Sequence, residues 1–266
     1  MDYQQFSPNA LVLRSLVECI WIVEGYDTSY QKILPDGYTE LIFHFGDPYK
    51  RIDDTNHNEI QSRSIAAGQL LRPIHLQPNG HSGVIGIKFK PVGLWQLFGW
   101  NMQHLTHETT PLDALLKNKT DSLTEKLQLA KNHRERIALI EKFLLDQLAL
   151  AKKRNGIDHI VEEIHSRGGQ INVRQLAQKH KISERTLERS FNEQVGLSAK
   201  LYSRVVRFTQ VFKLIQQPEL TKAEATYLCG YFDQSHFNKE FKTFSGDDPC
   251  TYFLQSHPFS NFFMNR

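Results

Sequence analysis

The sequence predicts an α+β protein in two parts, a β-rich sandwich or barrel with accompanying helices over residues 1–150 and an all-α part over 157–266. Three observations carry this. Apolar runs rich in Val, Ile and Phe, broken by Gly, Pro, Asp and Asn, fill the chain up to about Lys90, whereas beyond it apolar residues recur at helical spacing. The length of 266 residues suits two domains. Charge divides at the boundary of the two parts: residues 1–150 carry 15 basic and 17 acidic side chains, and residues 151–266 carry 17 and 12. A basic half joined to a mildly acidic one points to a polyanionic partner for the second half alone.

In order, Cys19–Val23, Thr39–Phe45 and Gly83–Phe89 read as strands. Leu41, Phe43 and Phe45 alternate with Ile42 and His44, so both faces of the second strand are largely apolar and it belongs inside a sandwich or barrel rather than at an edge. Leu34–Gly37 is a turn, because Pro presets one dihedral and Gly supplies a positive one. Leu94, Leu97 and Phe98 share a helical face, and Ile137, Ile140, Phe143, Leu144 and Leu148 mark a longer helix ending near Leu150. Residues 151–156, charged and closing on Gly156, make the linker. Ile157, Ile160, Val161 and Ile164 open the helical part, and their helix stops at Gly168 and Gly169. Ser183 then caps a helix that buries Leu187 and Phe191, and a long amphipathic helix from about Ser198 leads to Pro218. Asp233 caps a last helix with Phe237, Phe241 and Phe244 inward.

No run of apolar residues is long enough to span a membrane, and the N-terminus lacks the pattern of a signal peptide, so a cytoplasmic protein without a membrane partner is expected. Cys19, Cys229 and Cys250 are far apart and form no C-x-x-C pair, which argues against a disulfide framework or a cysteine-based zinc site. The signatures G-x-S-x-G, G-x-G-x-x-G, H-E-x-x-H and the P-loop are missing, so no enzymatic activity and no cofactor are expected.

A pattern occurs twice, about fifty residues apart, in Leu176–Gly196 and Ala225–Gly246: short helix, tight turn, capping residue, then a helix with apolar residues four apart and a Gly after it. That is helix-turn-helix architecture, in which the second helix enters the DNA major groove. With Leu187 and Phe191 inward, Arg185, Glu188 and Arg189 project outward; with Phe237 and Phe241 inward, so do Gln234, Ser235, His236 and Lys239. Arg pairs bidentately with guanine and Gln with adenine, so these side chains suit the reading of base edges. A single amphipathic helix with Arg and Lys outward is ordinarily a solvated face, and it is the repetition of turn, cap and stripe that favours DNA.

These residues resemble the DNA-binding domain of AraC/XylS-type transcription regulators, over about Ile157–Gln255, which implies about seven helices with two helix-turn-helix units joined by a long helix. The likeness lies in LAQKHKISERTLERSF and in GYFDQSHFNKEFKTFSG with Pro249 and Tyr252. It implies base reading by Arg185, Glu188 and Arg189 of the first unit and by Gln234, Ser235, His236 and Lys239 of the second, with phosphate contacts from Arg174, Lys242 and Arg204. The partners it implies are double-stranded DNA, a small-molecule effector, RNA polymerase for an activator, and a second copy of the chain. Three residues depart from the family pattern: Lys181 stands where Gly or another small residue is usual, Thr226 where the first unit has Ala177, and Ala225 where a branched residue is usual.

The first 150 residues resemble, more weakly, the β-rich domain that accompanies this DNA-binding domain in part of the family, through LPDGYTELIFHFGDPY and GIKFKPVGLWQLFG. That implies a sensor or oligomerisation role. A contrasting reading is a cupin-like metal-dependent enzyme using His44, His75 and His81, but no His-x-His pair occurs and satisfied or exposed imidazoles are the plainer account. Trp21, Trp95 and Trp100 suit an apolar pocket or ordinary core, and Asp36 with Glu40 a polar pair at a pocket mouth or a solvated surface.

Overall fold

The computed structural model describes residues 1–52, 58–116, 121–151, 156–215, 219, 222–255, 260 and 264. In chain order the first part holds β1 (Asp2–Phe6), β2 (Val17–Tyr26), β3 (Gln31–Ile33), β4 (Thr39–His44), β5 (Lys50–Ile52), β6 (Asn58–Ile60), β7 (Ser64–Ala67), β8 (Ile74–Gln77), β9 (His81–Phe89), α1 (Gly93–Phe98), β10 (Thr109–Pro111), α2 (Leu112–Leu116), α3 (Asp121–Leu129) and α4 (His133–Leu150). The second part holds α5 (Asp158–Ser166), α6 (Val173–Lys179), α7 (Glu184–Gln194), α8 (Ala199–Ile215), α9 (Lys222–Leu228), α10 (Gln234–Ser245) and α11 (Pro249–Leu254). Among the described residues these seven helices match the expected α part. Most of the expected linker and Pro218 lie outside the described residues. Among the described residues no helix is long and apolar enough to cross a membrane.

Two antiparallel sheets form the β part, one ordered β1-β2-β9-β4-β7-β10 and one ordered β3-β8-β5-β6. The period of two sorts the large sheet's side chains into two cores. Ile20, Ile22, Leu41, Phe43, Ile85 and Ile87 pack on one side with Ile137, Ile140, Phe143 and Leu144 of α4. Trp21, Val23 and Val84 pack on the other with Ile74 and Leu76 of the small sheet. The doubly apolar β4 therefore sits inside its sheet, between β9 and β7, as its composition predicts. Gly86 lies opposite Trp21 across the β2–β9 pairing, and a Cβ there would come within 2.1 Å of the indole, so glycine makes room for the ring.

The helical part has its own core, with α8 as its axis: Tyr202, Val205, Val206, Phe208, Val211 and Phe212 meet Leu176, Leu187 and Phe191 of the first unit and Phe237, Phe241 and Phe244 of the second. α5 ends where expected, since Gly168 and Gly169 take φ of 56° and 77° and the Gly169 amide donates to the Ile164 carbonyl. Leu34 and Val92 of the β part are buried in this same helical core. The two parts are joined further by hydrogen bonds from Gln96 to Asp158 at 2.8 Å and from the Thr106 hydroxyl to the Gly196 carbonyl, and by an ion pair between Lys32 and Asp247.

Candidate nucleic-acid interface and cavity

In the first unit the Asn172 side chain caps α6 and the Ser183 hydroxyl accepts from the Thr186 amide at 3.0 Å to cap α7. Leu187 and Phe191 are fully buried, so the helix can lie only one way round. Arg185 and Arg189 are exposed and Glu188 is half-buried. In the turn Lys181 has φ of 56°, a left-handed conformation that costs an L side chain about 1–2 kcal/mol. Four residues after Thr226, as Lys181 follows Ala177, the second unit has Gly230 with φ of 74°. Both turns thus take a positive φ at this position, and the departure noted at Lys181 falls where glycine belongs. The Ala177 and Thr226 side chains are both buried.

Asp233 caps α10 by accepting from the His236 amide at 2.7 Å. Gln234, Ser235, His236 and Lys239 are exposed along one side, with the Gln234 amide donating to Asn238 at 2.9 Å, and Lys242 is exposed as well. Arg174 is exposed on α6. Arg204 is placed differently: half-buried on α8, it bonds Glu240 of α10 at 2.7 Å. Arg207 bonds the other oxygen of Glu240 at 3.1 Å, and Glu240 itself is buried. Arg204 is therefore tied first to the bracket that fixes α10 on α8.

Between the two units lies a hollow lined by Lys200, Arg204, Arg207, His236 and Lys239. Sequence reasoning missed Lys200 and Arg207, although Lys200, Arg204 and Arg207 fall at i, i+4 and i+7 and so form one basic stripe of α8. Arg189 lines a second hollow, shared with Asn101 and Gln103 of the β part, where the turn Met102–Leu105 packs against α7. Behind the interface Glu163 joins α5 to α6, 2.8 Å from Lys179 and from His180 and 2.8 Å from Arg167. Hydrogen bonds from Lys179 and His180 hold its pKa down to about 2.

A cavity of about 80 Å³ opens between the two sheets of the β part. Trp21, Asp36, Tyr38, Glu40 and His44 line it, together with Ser260 and Met264 of the C-terminal segment. Asp36 and Glu40 are thus brought together, both against the ammonium of Lys88, which is buried and which sequence reasoning missed. Of the three tryptophans only Trp21 lines the cavity, while Trp95 and Trp100 pack in the core under α4. His44 is buried, and burial lowers its pKa to about 4. His75 and His81 lie on β8 and β9, and His81 packs its ring edge-on to Tyr26. Among the described residues no three His, Cys, Asp or Glu side chains gather as metal ligands.

Residues 176–255 match a family model described as a helix-turn-helix domain, and residues 4–111 match one described as a domain of unknown function (DUF6597). Among curated proteins, the Msm operon regulatory protein of Streptococcus mutans is 28% identical over 160 residues, 59% of this chain and 55% of that protein. The HTH-type transcriptional activator RhaR of Salmonella dublin is 25% identical over 150 residues, 56% of this chain and 50% of that protein. The chain spans about half the length of these relatives. Among solved structures, ToxT from Vibrio cholerae with an unsaturated fatty acid bound aligns over 88% of this chain and 93% of that one, with 12% identity and a TM-score of 0.47.

Proposed function

Because residues 176–255 belong to the AraC-type helix-turn-helix domains, we propose that the chain is a sequence-specific DNA-binding transcription regulator whose β part adjusts the contact in response to a small molecule. The observation that carries this reading is the pair of capped helices α7 and α10, each with an apolar face buried and a polar face exposed, mounted on one core around α8. α8, at 17 residues, is about 25 Å long, which suits two recognition helices entering successive major-groove segments about 34 Å apart. Arg185, Glu188 and Arg189 read bases in one segment, and Gln234, Ser235, His236 and Lys239 read them in the next. Arg174, Lys242 and the basic stripe of α8 meet phosphates, with Arg204 doing so from its bracket on Glu240. The domains divide at 151–156, and the regulator acts in the cytoplasm, where the DNA is. Contact with RNA polymerase belongs to the activator form of this reading, and pairing of two copies to either form.

An effector changes DNA affinity only as far as it prefers one arrangement of the two parts. Lys32–Asp247, Gln96–Asp158 and Thr106–Gly196 are contacts through which such a preference would pass, and Arg189 borders both the β part and the proposed DNA face. The metal-dependent enzyme is not favoured, because His44, His75 and His81 stand on three strands without a third-ligand cluster among the described residues. Selection of bound duplexes from a random DNA pool tests the proposal. It predicts a motif of two blocks centred about ten base pairs apart; recovery of unenriched sequence would overturn it.

A further inference from the structure

We propose that the cavity between the two sheets binds a small organic amine, a cation carried on a compact apolar body. The inference rests on the reading of the β part as the effector domain and names the chemistry of that effector. Most of the wall is aromatic or aliphatic, with Trp21, Tyr38, Ile42 and Leu76 among its residues, so the body of the ligand is apolar. Its charge has one sign. The carboxylates of Asp36 and Glu40 line the cavity, while no Lys or Arg side chain does among the described residues. Lys88 lies outside the lining and is held by Asp36 and, at 3.5 Å, by Glu40. The ammonium also faces the Tyr38 ring, 5.1 Å from its centre, so that ring already accepts a cation. Two carboxylates and one ammonium leave the group a net charge of −1, which repels an anionic ligand entering here and attracts a protonated amine.

A second observation points to an occupant. His44 is 1% exposed and lines the cavity, and although Gln61 lies close enough to interact, neither of its ring nitrogens makes a well-formed hydrogen bond. Buried polar groups are ordinarily satisfied, so a donor or acceptor supplied by a ligand fits this ring. Ser260 and Met264 are buried at the same cavity, which puts the occupant in contact with the segment that follows the DNA-binding helices.

The test uses the full chain and three probes of one shape: phenethylamine, 2-phenylethanol and 3-phenylpropionate. Thermal unfolding and titration calorimetry at equal concentrations should show the amine raising Tm most, the alcohol less and the acid not at all. Glu40→Gln should weaken the amine tenfold or more while leaving the alcohol unchanged. Stabilisation by the acid equal to that by the amine would overturn the assignment, as would no shift with any probe. The amine–acid contrast in the unaltered chain decides even where Glu40→Gln fails to fold. DNA selection on the ligand-free chain is independent: a failed amine result with the two-block motif intact overturns this assignment alone, and loss of the motif overturns the regulator reading.

Discussion

Lys181 shows how a single position reports on a whole turn. Its left-handed φ matches that of Gly230 in the second unit, so the backbone of the turn, not the side chain, is what the fold demands there. Lys181→Gly should stabilise the chain by about 0.5–1 kcal/mol, the relief of strain less the added unfolded-state entropy, read as a higher denaturant midpoint at unchanged slope. An unchanged or lower midpoint would refute the strain. At the interface Arg189→Ala should cost about 1–3 kcal/mol of DNA affinity and relax preference at one base position. Arg174→Ala should weaken all sequences alike and reduce the salt slope by about one. Uniform weakening by both would sink the division between base and phosphate contacts. Caps and buried stripes were legible because Ser183, Asp233, Leu187 and Phe237 act within a turn or two of helix. Lys88 was not, since lysine reads as surface and its partner Asp36 lies 52 residues away.

Elements are held by contacts of the same nonlocal kind. The alternation in β4 foretold an inner strand, yet nothing in it names β9 and β7 as neighbours, because pairing partners are chosen across the chain. Likewise the basic stripe of α8 could be read by spacing, whereas its bracket could not: Glu240 looks like an outward charge of α10 until the fold seats it between Arg204 and Arg207. Glu240→Ala should leave two guanidiniums without their carboxylate and cost roughly 2 kcal/mol, lowered from the fully buried case because Arg204 is 34% exposed. Denaturant unfolding measures the loss, and base preference in the second half of the site should broaden with it. Unchanged stability with sharp preference would show that the bracket does not orient α10.

Over the whole molecule, one buried and one half-buried histidine link the two parts to pH. His44 between the sheets and His165, 2.6 Å from the Tyr202 hydroxyl under the helical core, are each held at about 4 by burial. A histidine whose folded pKa lies below its unfolded value of 6.5 stays neutral in the fold, so the unfolded chain takes up the proton first as pH falls. Stability should be full above about pH 6.5 and decline toward pH 4, by an amount of the order of 3 kcal/mol per histidine. Glu163, held at about 2, adds its loss only below pH 4.5. Denaturant midpoints across this range check the point; a flat profile from pH 7 to about 4.5 would contradict it.

The central claim is that α7 and α10 read successive segments on one face of one duplex. Interference with binding by methylation of guanine N7, mapped on a selected duplex, tests it most directly. Two clusters of interference about ten base pairs apart are predicted, the first fading in Arg189→Ala and the second in Lys239→Ala. A single cluster, or both clusters fading together in either variant, would contradict it.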